Sequence, residues 1–403
     1  MPAEKPESRL EKTVELPIGP YHPAYKEPEM FKLYVDGEEI VDAKIRIGYQ
    51  HRGIEYLAQR MTIQQIVFLV ERICGICSTS HPICFCQAVE DAMNLEVPDR
   101  ARYIRVLIGE LERIHSHLLW AGVALHLIGY DTLFMYFWRY REPVCELLEE
   151  LTGNRQHYAM ICPGGVRRDI DLKKMKPKIL RVLDEIKEPI AKVGEAVAKD
   201  KLVKARMVGV GVLTKQDALK YCTVGPTARG SGLKIDVRVD EPYAAYKEVG
   251  VDIKVLSEGD VMAKTLVRVL EVLESIEIIK RCLDAMPNGP IKAEFKEYPV
   301  AEGVGKYEAP RGEDIHYVRL QGTTVPYRLK VRAPTYANLP SLVPQLIGES
   351  IADAPIIIGS IDPCFSCTER VSVVDVKEGR TLTLTMSEFN EFGRKRKNPL
   401  KVK

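Results

Sequence analysis

The stretch Glu71-Arg72-Ile73-Cys74-Gly75-Ile76-Cys77-Ser78-Thr79-Ser80-His81 holds one cysteine pair, and Asp362-Pro363-Cys364-Phe365-Ser366-Cys367 holds another. In each pair two residues separate the thiols, so both sulfurs can grip one ion. Four thiolates form a soft ligand set, suited to zinc, iron or nickel and unsuited to magnesium or calcium. A zinc ribbon places its second pair roughly 15–20 residues after the first. Here 286 residues intervene, so the two pairs staple remote segments at the centre of a large fold. From spacing alone, a structural zinc site or two separate disulfide-prone pairs remain open alternatives.

Working outward, residues 61–92 carry Ile63, Ile66, Val67 and Val70 at helical spacing, which predicts one long helix bearing Cys74 and Cys77 in it or just after it. Pro98 opens a second helix that runs to about Leu127. A third covers about 132–152 and stops at Gly153-Asn154. Further helices are expected over 173–200, 258–286 and 341–353. Before the first pair, Phe31 to Val35 alternates, Asp36-Gly37 makes a hairpin turn, and Ile40 to Ile47 forms a partner strand. The fold class is α+β: a large helical bundle core with small peripheral β lobes. The expected organisation is a β lobe and loop over 1–60 and a helical catalytic core over 61–370. That core carries inserted β segments at about 205–255 and 291–336, and a basic extension follows over 371–403.

The chain has 403 residues, 46% hydrophobic and 28% charged, an ordinary composition with ample length for a core. The formal charge of +2 gives no reason to expect nucleic acid. The positive excess sits in the last 33 residues, with 8 Lys/Arg against 4 Asp/Glu. The start, Met1-Pro2-Ala3-Glu4-Lys5, is polar, so no secretory leader is expected. The longest apolar stretch, around Leu118 to Ile128, is broken by His126, so no membrane span is expected. Ten cysteines without a leader suggest a reducing compartment, where thiols bind metal or lie buried.

Other residues gather meaning beside the thiols. His81 follows Cys77 by four residues, where an imidazole can hydrogen-bond a ligand sulfur. Arg311, between Pro310 and Gly312, sits on a stiff turn and offers a fixed, planar set of donors. Gly19-Pro20-Tyr21-His22-Pro23 with Lys26-Glu27-Pro28, and His51-Arg52-Gly53-Ile54-Glu55, place His and Glu on Pro-flanked loops that can carry protons. Each of these alone reads as an ordinary turn or a solvated face.

Together these motifs resemble the large, catalytic subunits of nickel–iron hydrogenases, in the membrane-bound, energy-converting branch (group 4). That branch is related to the quinone-site core subunit of respiratory complex I. The resemblance spans nearly the whole chain, through Gly19 to Pro23, Ile47 to Gly53, Glu71 to His81, Arg113-Ile114-His115-Ser116-His117-Leu118-Leu119-Trp120, Pro163 to Val166, Arg229 to Gly232, the Arg311 segment and Asp362 to Arg370. Most of these segments occur in both branches. The two cysteine pairs separate them, because the complex I branch lacks the metal.

The resemblance implies that Cys74 and Cys364 bind nickel terminally, while Cys77 and Cys367 bridge nickel and iron. The iron carries carbonyl and cyanide ligands, lined by Pro334 and Thr335. Arg311 stands over the open position, His81 supports a bridging sulfur, and Glu27 or Glu71 carries protons. The implied activity is interconversion of hydrogen with protons and electrons. The implied partners are an iron–sulfur small subunit, membrane subunits of an ion-translocating complex and, indirectly, a ferredoxin-type carrier. The implied place is the cytoplasmic face of the cell membrane. The alternative is a non-hydrogenase scaffold or repurposed redox subunit of a related ion-pumping complex. The basic tail after Arg370 matches a maturation peptide that is cut once nickel is in place; a plain solvated tail is its bland reading.

Overall fold

The computed structural model describes residues 13–25 and 27–368, with short pieces of backbone beyond. The proposed maturation cut after Arg370 lies outside the described residues. The chain opens with an antiparallel three-stranded sheet, β1 (Val14–Ile18), β2 (Met30–Asp36) and β3 (Glu39–Arg46), in sequence order. Alternation in β2 points Phe31, Leu33 and Val35 into the core. After α1 (Ile54–Ala58) comes α2 (Ile63–Glu71), started by a capping box between Thr62 and Gln65. The next helix, α3, begins only at Ser80 and runs to Met93. The single helix expected over 61–92 is therefore two, and the first cysteine pair occupies the break between them.

Helix α4 (Asp99–Leu127) is the axis of the molecule and is buried almost all round. It packs on α5 (Asp131–Thr152), which ends at Gly153 in the left-handed conformation, and on the later helix Val261–Ala285. A two-strand bridge, β4 (Ile161–Cys162) with β5 (Gly165–Val166), leads to α6 (Leu172–Lys199). Where β structure was expected near 205–255, the described residues form five short helices: α7 (Lys201–Met207), α8 (Lys215–Lys220), α9 (Gly225–Arg229), α10 (Val237–Asp240) and α11 (Tyr246–Val249). Capping side chains at Asp200, Thr214 and Asp236 explain three of these starts, and a sequence rich in glycine breaks them early. Helix α12 (Val261–Ala285) follows.

The second sheet, expected over 291–336, is present as β6 (Glu302–Ala309), β7 (Gly312–Arg319) and β8 (Arg328–Arg332). It lies against α3 at unusually close range, because Gly303 and Gly305 carry no side chain. A Cβ at Gly305 would stand 1.9 Å from the carbonyl oxygen of Cys84. The chain then passes through α13 (Pro334–Asn338), α14 (Leu342–Leu346) and α15 (Ala354–Ser360) to the second cysteine pair. The two β units flank a helical core, as the sequence predicts.

Buried charge in that core is matched rather than avoided. On α4, Glu110 accepts from Arg113, Arg238, Tyr246 and Ser275, while His117 meets Glu271, itself bonded to Arg229. Paired charges of this kind hold only while every partner stays in place.

Replacing Gly305 by Ala forces α3 and β6 apart. The expected loss is about 1–3 kcal/mol of stability, read as a lower Tm.

Candidate metal centre

The break between α2 and α3 is built, not frayed. Ser78 Oγ donates to Gly75 O at 2.9 Å and closes the turn. The start of α3 is held by Glu112, fully buried on α4, which accepts from Thr79 N, from Ser80 N at 3.1 Å and from Ser80 Oγ at 2.5 Å. A carboxylate at a helix N-terminus satisfies otherwise orphaned N–H groups. Burial nonetheless pushes the Glu112 carboxyl up to about 7. On the other segment, Asp362 takes a left-handed backbone (φ 53°), and Cys364 N donates to Thr335 Oγ1 at 3.1 Å. Arg52 ties the two segments together: it donates to Arg72 O at 2.6 Å, Ile73 O at 2.9 Å and Ser366 O at 2.9 Å.

All four cysteines of the two pairs are buried and unbridged. The sulfurs of Cys74, Cys364 and Cys367 lie within 4.8 Å of one another, with Cys364 and Cys367 3.0 Å apart. Cys77 adjoins this trio through Cys74: its backbone N–H donates to Cys74 Sγ at 3.4 Å, and the two thiols hydrogen-bond. Hydrogen bonds from Cys364, Cys367 and Cys77 hold the Cys74 thiol well below its ordinary range, against the opposing effect of burial. Three mutually close buried sulfurs with a fourth beside them, one already favoured as a thiolate, fit a soft metal ion.

The predicted neighbours fall around this cluster. Arg311 is buried and fully engaged: Nη1 reaches Cys77 Sγ and Ser116 Oγ, both at 3.2 Å, while Nε and Nη2 bind Asp362 O and Oδ1, both at 2.8 Å. His81 Nε2 stands 3.5 Å from Cys367 Sγ. Pro334 and Thr335, at the start of α13, are buried beside Cys364. Glu27 accepts from Ser366 N at 2.9 Å and Ser366 Oγ at 2.7 Å, with Oε1 4.0 Å from Cys364 Sγ. Burial and the negative charge on Cys74 raise its pKa. Glu71 is buried too, but it serves Arg72 and Ala159 N, both at 2.7 Å, and no hydrogen bond among the described residues links it to a thiol. A cavity of about 100 Å³ reaches Cys364, Arg311 and Glu27, walled by apolar Leu119, Trp120 and Val123.

Comparisons with known proteins follow this geometry. The family profile described as respiratory-chain NADH dehydrogenase, 49 Kd subunit, matches residues 128–302 and 293–370, and that of nickel-dependent hydrogenase matches 52–131. The membrane-bound hydrogenase subunit alpha of Pyrococcus furiosus is 43% identical over 398 residues, covering 94% of this chain and 92% of that one. The chain belongs to this family. The carbon monoxide-induced hydrogenase of Rhodospirillum rubrum is 41% identical, covering 89% of this chain and 99% of that one. A subunit of the NADH-quinone oxidoreductase of Salinibacter ruber is 36% identical, covering 88% and 85%. Among solved structures, one of the membrane-bound sulfane sulfur reductase, an archaeal respiratory membrane complex, superposes with a TM-score of 0.85. It is 32% identical, and the match covers 92% of this chain and all of that one. No helix among the described residues is long and apolar enough to cross a membrane.

Family motifs did not single out Asp362, Ser116, Arg52 or Glu112 as working parts. Asp362 carried a signal, since an acid directly before Pro363-Cys364 lies beside any metal bound there. Ser116 and Arg52 stood inside quoted motifs without a role of their own, and Glu112 carried no signal, because a polar residue on a long helix reads as a solvated face until the helix proves buried.

Changing Arg52 to Gln removes the tie between the two cysteine segments while sparing every thiol. The expected result is a folded chain, by circular dichroism, that loses most of its nickel during dialysis. Unchanged nickel per chain would mean that the other contacts hold the cluster alone.

Proposed function

We propose that this chain is the catalytic subunit of a membrane-attached nickel–iron hydrogenase, interconverting hydrogen with protons and electrons. The buried trio of Cys74, Cys364 and Cys367 sulfurs, with Cys77 beside Cys74, carries the reading. The related names support it, though relatives that act on quinones share the fold. Cys74, Cys77, Cys364 and Cys367 would hold nickel and an iron with carbonyl and cyanide ligands, beside Pro334 and Thr335. When bound, such a pair supplies a Lewis acid and an electron acceptor for splitting hydrogen.

The protein's own groups do the rest. The apolar cavity admits a small uncharged gas and disfavours ions. Arg311, locked by Asp362 and Ser116, fixes a positive charge beside Cys77 and cannot swing away. Glu27, close to Cys364 and with a pKa raised chiefly by burial, takes a proton more readily than an exposed carboxylate and can pass it outward. Glu71 lacks such a contact and is the weaker candidate. Each hydrogen molecule yields two protons, which leave through Glu27, and two electrons, which leave to an iron–sulfur small subunit and on to a ferredoxin-type carrier. Membrane subunits anchor the complex on the cytoplasmic face. The segment 371–403 serves as a maturation extension, so active protein should end at Arg370 by intact mass.

Infrared spectroscopy of the purified complex is the direct test: bands of metal-bound carbonyl and cyanide are expected, and their absence would return the chain to the scaffold reading. Cys364→Ser should lose nickel and turnover together, since an alcohol is a poor substitute for a soft thiolate. Arg311→Lys should keep the metals and slow turnover by orders of magnitude. Glu27→Gln should keep the metals and suppress hydrogen–deuterium exchange, whereas Glu71→Gln should leave exchange near normal. Equal loss from both would move the proton path elsewhere.

A further inference from the structure

A second group of donors converges next to the thiols. On β7, Asp314 and His316 are two residues apart and share the face turned into the core. Core-facing strand positions are ordinarily apolar, so two polar groups there break the pattern. His81, the second residue of α3, meets them. All three are fully or almost fully buried.

We propose that His81 Nδ1, His316 Nε2 and Asp314 Oδ2 form a site for a divalent first-row transition ion, separate from the thiol cluster and joined to it through His81. The three atoms lie 2.8 Å (His81 to Asp314), 3.2 Å (His81 to His316) and 3.4 Å (His316 to Asp314) apart. Ligands held at roughly 2.0–2.2 Å from one ion are spaced about 2.8–3.6 Å from each other between right-angled and tetrahedral geometry. Two imidazoles with one carboxylate suit zinc or iron(II), whereas magnesium and calcium prefer oxygen.

A hydrogen-bonded cluster explains less. His81 Nδ1 and His316 Nε2 are placed to share one proton, so that proton must serve the other imidazole and the carboxylate at once. Although His81 Nδ1 lies 2.8 Å from it, neither oxygen of Asp314 accepts an aligned hydrogen bond among the described residues. A carboxylate without exposure and without an aligned donor carries a desolvation cost that only the two nearby imidazoles offset. An ion between the three atoms removes it. An ion on Nδ1 also fixes His81 as the tautomer with its proton on Nε2, aimed at Cys367 Sγ 3.5 Å away. His81 thus becomes a bridge between two metal sites.

The test uses the intact complex produced in zinc-supplemented medium and dialysed. X-ray absorption at the zinc edge should show about one zinc per chain with nitrogen and oxygen neighbours only. His316→Gln and Asp314→Asn should each lower retained zinc by at least about tenfold while nickel per chain stays the same. Wild-type protein with no retained zinc, or with zinc on sulfur alone, overturns the site, as does full zinc retention in both variants. The wild-type spectrum decides even if a variant fails to fold. Because nickel on sulfur is read separately, this site and the hydrogenase reading can fail independently.

Discussion

Everything in this fold serves one constraint: four thiols from opposite ends of the chain must meet in a place water does not reach. Two short, irregular segments cannot hold such a meeting by themselves. Glu112 pins one from α4, Thr335 and Glu27 pin the other, and Arg52 and Arg311 reach across both. Each of these groups is anchored in turn on a helix, strand or turn of the core. The precision of the cluster is therefore borrowed from the bundle around it.

This arrangement explains the unusual amount of charge inside the molecule. A buried carboxylate or guanidinium is costly unless its partners are fixed. Here they are fixed because nearly every face of α4 is occupied: Glu110 and His117 by neighbours around α12, Glu112 by α3. The same packing that raises Glu112 to about 7 keeps α3 in register with the thiols. Sheet β6–β8, pressed onto α3 through Gly303 and Gly305, supplies the rear wall and brings Asp314 and His316 behind His81.

Much of this was legible in the sequence, and the gaps have physical reasons. The long helices announced themselves through apolar periodicity, and their ends through Pro98 and Gly153. The first sheet was visible in the alternation from Phe31 to Val35. The cysteine pairs, Arg311 and His81 were visible as motifs. The break at Arg72–Thr79 was hidden because Ile63 to Val70 and the residues after Ser80 share one helical spacing, and what interrupts it is a tertiary contact from Glu112. The short helices within 201–249 were hidden because one turn of helix depends on a cap more than on any periodic pattern. The burial of Asp314 and His316 was hidden, since nothing local reveals that their face of the strand is the inward one.

The central claim is that Cys74, Cys77, Cys364 and Cys367 together hold one nickel ion. Nickel-edge X-ray absorption of the purified complex tests it most directly. The account predicts one nickel per chain surrounded by four sulfur neighbours. Nickel bound by fewer sulfurs with nitrogen or oxygen making up the set, or a protein free of nickel that is active all the same, would contradict it.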